Sequence, residues 1–160
     1  MDRIIPFLWF NKKAEEAAKF YVKIFKNSKI TGIVRYPEGP HGKAGSVMTV
    51  TLKLDGREVT LLNGGPYRKL NGAFSFVVKC NTQKEVDYYW HALLSGGGKP
   101  GQCGWLKDKF GVTWQVVPDI LLSLLRDKDP EAAARVNTAM LKMIKFDIAE
   151  LKKAARKPVI

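Results

Sequence analysis

Few side chains in this 160-residue chain are equipped for chemistry, and their spacing restricts what that chemistry is. Cys103 lies beside Gly104 and close to Lys107 and Lys109. Nearby cations favour the thiolate, the reactive form of a cysteine; the bland reading of the same residue is an inert, buried thiol. Asp108, in the string Lys-Asp-Lys-Phe-Gly, is most simply a turn residue, and otherwise an acid for proton transfer. With Gln115 these make the candidate catalytic group Cys103, Asp108 and Gln115. His41 sits in a Gly/Pro-rich loop and His91 on a helix, without metal-ligand spacing to each other. Neither paired carboxylates nor a nucleophile with its base can be recognised, which weighs against an obvious enzyme.

The composition bounds the rest. Lys plus Arg number 27 and Asp plus Glu 15, a formal net charge of +12. Such a field attracts polyanions. The basic residues are spread, however, with only pairs at Lys12-Lys13, Arg68-Lys69 and Lys152-Lys153. Single-stranded nucleic-acid sites interleave exposed aromatics with the charges, whereas the aromatics here fall mostly at core spacing. A solvated surface is the preferred reading and nucleic acid the weaker one. No apolar run approaches the roughly 18 residues that cross a bilayer, and no secretory leader is recognisable, so the expectation is a cytoplasmic protein with no membrane partner. Cys80 and Cys103 do not make a disulfide framework.

The elements that must position these residues follow from periodicity. Arg3–Phe10 reads as a strand, with Pro6 at its start or on a sheet edge. Ala14, Ala17, Ala18, Tyr21, Ile24 and Phe25 form one helical stripe, with Asn11 as the expected N-cap. Strands are expected at Lys29–Arg35, Ser46–Leu54 and Arg57–Asn63, the last two joined by a type I′ turn at Asp55-Gly56. The order then restarts, with a strand at Ala73–Lys79 and a helix at Thr82–Leu94. Thr82 and Glu85 form a capping box for that helix. Gly104–Lys107 and Val112–Val117 close as a hairpin.

The restart is an internal repeat at an offset of 69 residues, which sets Phe7, Leu8 and Trp9 on Phe76, Val77 and Val78. The same offset sets Phe20-Tyr21 on Tyr89-Trp90. Each half is strand, helix, strands. We therefore expect an α+β fold of two tandem βαβββ modules, about 1–66 and 73–118 within a domain of 1–118. A helical extension of 119–160 follows. Within it, Asp129-Pro130-Glu131 and Asp147 with Glu150 are helix starts.

The strings PFLWF at Pro6–Phe10, AEEAAKFY at Ala14–Tyr21, GSVMTVTLKLDG at Gly45–Gly56 and LNGGP at Leu62–Pro66 resemble one known family. So do FSFVVKC at Phe74–Cys80, QCGWLKDKFGVTWQVVP at Gln102–Pro118 and the DPEAAARV helix at Asp129–Val136. This is the PhnB-like branch of the vicinal oxygen chelate superfamily, often labelled 3-demethylubiquinone-9 3-methyltransferase. The resemblance implies the glyoxalase/bleomycin-resistance/dihydroxybiphenyl dioxygenase-like fold, with sheets curling around a ligand cleft between the modules.

It also implies a divalent metal held at four strand positions, near Ile5 or Pro6, Leu62 or Asn63, Ala73, and Gln115. Only Gln115 and Asn63 offer oxygen there, and two neutral amides do not neutralise a dication. No metal and no cofactor are therefore expected. The methyltransferase label needs a glycine-rich turn opening a helix after a strand, and Gly96-Gly97-Gly98 ends a helix instead. The expected pocket has Trp9, Trp105 and Trp114 as walls and Asn63, Ser75, Cys103 and Gln115 as polar groups. Two functions stay open: a metal-independent binding module for an unidentified small molecule, and an enzyme of the glyoxalase/dioxygenase superfamily. The apolar stripes of the extension lead us to expect a homodimer.

Overall fold

Asp55 and Gly56 both adopt left-handed backbone conformations, φ 48° and 80°, and the chain reverses on these two residues. That is the type I′ geometry whose twist matches the strands it joins. The computed structural model describes residues 3–156. The chain divides into two compact units, Met1–Leu70 and Asn71–Ile160.

In the first unit the order is β1 (Phe7–Phe10), α1 (Ala14–Ile24), β2 (Lys29–Arg35), β3 (Val47–Leu54) and β4 (Arg57–Asn63). The sheet order is β1-β4-β3-β2, with β1 parallel to β4 and the other pairs antiparallel. β1 starts directly after Pro6, whose missing donor suits an edge strand. All six residues of the helical stripe are buried, together with Leu8, Phe10, Val50, Leu52, Val59 and Leu61 on the sheet face that α1 covers. The alternation of a strand leaves Phe7, Trp9, Thr60 and Leu62 on the opposite face.

The second unit repeats the order with β5 (Phe76–Cys80), α2 (Gln83–Leu94), β6 (Lys99–Pro100), β7 (Trp105–Lys107) and β8 (Thr113–Pro118). Its sheet runs β5-β8-β7-β6, again with the first pair parallel. Thr82 and Glu85 form the capping box of α2. Three helices follow: α3 (Ile120–Leu125), α4 (Pro130–Lys142) and α5 (Ile148–Ala155). Asp129 and Asp147 cap α4 and α5 through their side chains. Two βαβββ modules with a helical extension are therefore the fold.

The repeat needs one correction. The helices match at 69 residues, since buried Ala17, Tyr21 and Ile24 fall on buried Val86, Trp90 and Leu93. The strands do not, because buried Leu8 would fall on Val77, which is 52% exposed. Faces agree when Leu8 and Phe10 are set on Val78 and Cys80, one residue further along. The three residues between β1 and α1 against two between β5 and α2 absorb the difference. A shift of one residue exchanges the faces of a strand, so burial decides the register.

Candidate functional site

In the second module, the strand register places Val77, Gln115 and Trp105 side by side across β5, β8 and β7. Their neighbours in sequence, Phe76, Trp114 and Leu106, point to the face that α2 covers, so this row lies on the helix-free face. Gln115 is half-buried, and its Nε2 donates to Ser75 Oγ at 2.9 Å. Gln115 Oε1 accepts no hydrogen bond among the described residues. Beside it Val77 is 52% exposed. An amide oxygen between apolar side chains is the composition of a small-ligand surface.

The other expected residues are placed differently. Trp114 is 1% exposed, and its ring stacks on Phe76 at 5.0 Å. It is a core residue and no pocket wall. Its Nε1 donates to Asp108 Oδ2 at 2.8 Å, while Asp108 Oδ1 accepts from the backbone N–H of Phe110 and Val112. Asp108 is 4% exposed, so its carboxylate organises the β7–β8 turn and anchors the Trp114 indole. Asp108 and Gln115 thus serve opposite faces of one sheet. Cys103 has φ 54° and is half-buried, with its Sγ 3.5 Å from the Met140 carbonyl. Of the three candidate catalytic residues, Asp108 and Gln115 are not brought together. Burial pushes the other thiol, Cys80, up to about 12, which makes it inert.

In the first module, Asn63 lies on the helix side of its sheet. Its Oδ1 accepts from the Ala14 N–H at 2.8 Å, and its Nδ2 donates to the Val47 carbonyl at 3.1 Å. The start of α1 is therefore held by a strand residue, with Lys13 at the N-cap position and no side-chain cap, where Asn11 was expected. Sequence spacing shows only local caps, and this one arrives from 49 positions away. Trp9 is half-buried and lies on the helix-free face, with its Nε1 bonded to the Gly65 carbonyl at 2.9 Å and Arg68 stacked over its ring.

One feature was not legible in the sequence. A cavity of ≈ 640 Å³ lies between α1 and the β2–β3 connection, floored by Tyr36, Val47 and Asn63 and rimmed by Lys12, Lys19, His41 and Lys43. The Tyr36 hydroxyl donates to the Asn63 carbonyl at 2.6 Å. Lys19 pairs with Glu15 at 2.7 Å and holds that carboxyl below the usual carboxylate range. The composition of Pro37–Gly45 marked it as a loop, and nothing local showed that it closes against α1. Among the described residues no three of His, Cys, Asp or Glu come together, and no helix is long and apolar enough to cross a membrane.

Residues 2–117 match the protein family described as 3-demethylubiquinone-9 3-methyltransferase. A solved structure of a Bacillus cereus PhnB protein with the same methyltransferase description is 35% identical, with a TM-score of 0.65 over 73% of this chain and 99% of that one. Protein PA1353 of Pseudomonas aeruginosa is 20% identical, with a TM-score of 0.61 over 74% of this chain and 98% of that one. The fosfomycin resistance protein FosX of Listeria monocytogenes is 12% identical, with a TM-score of 0.52 over 74% and 93%, and shares the fold. No curated protein matches the chain. The family match stops at Val117, so the resemblance carried by the Asp129–Val136 helix lies beyond it.

Proposed function

The chain belongs to the family described as 3-demethylubiquinone-9 3-methyltransferase, and from that premise we propose that it binds a small molecule on a vicinal oxygen chelate scaffold, using neither a divalent metal nor S-adenosylmethionine. The observation that carries this reading is the helix-free face of the second module. There the Gln115–Ser75 pair presents an amide oxygen and a hydroxyl between Val77 and Trp105. Such a surface orients a ligand by one or two hydrogen bonds and holds it by apolar contact.

The donor chemistry does not fit a divalent cation. Asn63 has already used its oxygen on Ala14 and its amide on Val47. Gln115 alone then keeps a side-chain oxygen at the four strand positions, and hard cations want several, preferably charged. Nor do the strand-to-helix turns fit S-adenosylmethionine. Asn11-Lys12-Lys13 and Asn81-Thr82 contain none of the glycines that let a backbone close on such a cofactor. Gly96 and Gly97, with φ 77° and 117°, end α2.

Calorimetry separates these readings. Titrating S-adenosylmethionine into the full chain is expected to give no binding heat, and a saturable isotherm would overturn that half of the proposal. Fragment-sized aromatic amides are expected to raise the melting temperature of the wild type and not of Gln115→Ala.

The homodimer is proposed on separate grounds. Leu122, Leu141 and Ile144 of the extension are 52%, 55% and 56% exposed, and pairing two copies would cover them. Sedimentation at micromolar concentration is expected to give about twice the 18.0 kDa chain mass. A monomer throughout would refute it.

A further inference from the structure

We infer that the cavity of the first module is a second binding site, built for a small organic anion. It is remote in sequence from the Gln115 row and uses none of its residues. Its volume of ≈ 640 Å³ lies within the range of small-molecule pockets.

Charge selects the ligand class. The two acids on this flank of α1 are answered by their own helix, Glu15 by Lys19 at 2.7 Å and Glu16 by Lys13 at 4.0 Å. Lys12 and Lys43 line the same cavity, and among the described residues neither pairs with a carboxylate. Two ammonium groups at one rim leave a positive potential that an incoming anion neutralises. The Tyr36 ring offers the apolar wall that an organic body needs.

The loop that brings Lys43 is fixed in advance. The Tyr36 N–H donates to the Ser46 carbonyl, the Gly45 N–H donates to the Tyr36 carbonyl, and Arg35 Nη1 donates to the Gly45 carbonyl at 3.0 Å. Gly42 rests on the Tyr36 ring so closely that a Cβ there would lie 2.7 Å from it. A loop ordered before binding loses little entropy when it binds.

Phenyl phosphate is the probe, titrated into the full-length protein by calorimetry at fixed low ionic strength, with benzyl alcohol and benzylamine as neutral and cationic counterparts. Phenyl phosphate is expected to bind and the other two not. Lys12→Ala/Lys43→Ala, both exposed positions, is expected to weaken binding about tenfold or more with an unchanged melting temperature. Lys152→Ala/Lys153→Ala on α5 and Gln115→Ala are expected to leave it unchanged. Failure of the Gln115 site alters only the Gln115→Ala response to neutral fragments, so the two proposals fail separately. Equal weakening by the α5 pair would show attraction to the net charge, and overturn the site. Equal binding of benzyl alcohol, or no binding of phenyl phosphate, would overturn it as well.

Discussion

In the first module α1 sets Ala14 and Ala18 against the sheet and leaves Glu15 and Lys19 beside an open cavity. In the second module the positions matching Ala14 and Ala18 are Gln83 and Asp87, and they hold the C-terminal extension. Gln83 donates to the Phe146 carbonyl and accepts from the Ile148 N–H, while Asp87 pairs with Lys145. The hairpins differ in parallel. β2 and β3 have 7 and 8 residues, and β6 and β7 only 2 and 3. Beside the short hairpin, Cys103 and Gly104 donate to the Met143 and Ile144 carbonyls, each at 2.8 Å, and Phe146 covers Gly104. One strand order thus supports two arrangements. A module with a long hairpin closes its own flank and keeps a cavity, and a module with a short one borrows later chain to finish its core.

The sharpest way to break this comparison is to remove the borrowed core. Phe146 is 1% exposed, and Phe146→Ala is expected to destabilise by about 3–5 kcal/mol in urea unfolding followed by tryptophan fluorescence. A loss below about 1 kcal/mol would mean the extension is an accessory. Gly104→Ala comes next, at about 2–4 kcal/mol. Its φ is 77°, and a Cβ would meet the Phe146 ring at 2.5 Å and the Val116 carbonyl at 2.6 Å. Gly32→Ala, where nothing lies within 4 Å, is the control in the first module and is expected to cost under about 1 kcal/mol.

Asn63→Ala tests the first module's own closure. It removes the oxygen that holds the start of α1 and is expected to cost about 1 kcal/mol, read from the same unfolding curves.

The smallest effect is pH-dependent. Lys145 and Gln83 hold the Asp87 carboxyl below its ordinary value, so the folded state binds its proton less readily than the unfolded state. The contribution is present above the ordinary carboxylate range and is lost as pH falls through the folded value. Both side chains are substantially exposed, at 43% for Asp87 and 34% for Lys145. Asp87→Asn should therefore cost under about 1 kcal/mol at neutral pH. That difference from wild type should vanish in strong acid.

What the sequence made legible was local. The stripe of α1, the Asp55-Gly56 turn, the Thr82–Glu85 box and the Asp129 and Asp147 caps all depend on neighbours within a few positions. What it hid depends on distant closure. The cap from Asn63, the cavity formed when the Tyr36–Ser46 loop meets α1, and the seat of Phe146 on Gly104 each join segments tens of residues apart. The candidate site divided along the same line. Gln115 and Val77 fell together because parallel pairing of β5 and β8 aligns them, Ser75 joined them by its side-chain hydrogen bond to Gln115, and Trp105 followed from the β7–β8 hairpin. Strand alternation buries Trp114, and the hydrogen bond from its indole offsets the desolvation of Asp108, which residue type alone does not announce.

The second module is proposed to bind a small molecule through Gln115 without a metal. The most direct test is a titration of the chelator-treated, full-length protein with a fragment-sized aromatic amide, followed by ¹⁵N–¹H correlation spectra. Saturable shifts of the Gln115 side-chain amide and the Trp105 indole N–H are expected, unchanged when zinc or nickel is added. Shifts that arise only after metal is restored, or that bypass both residues, would contradict the proposal.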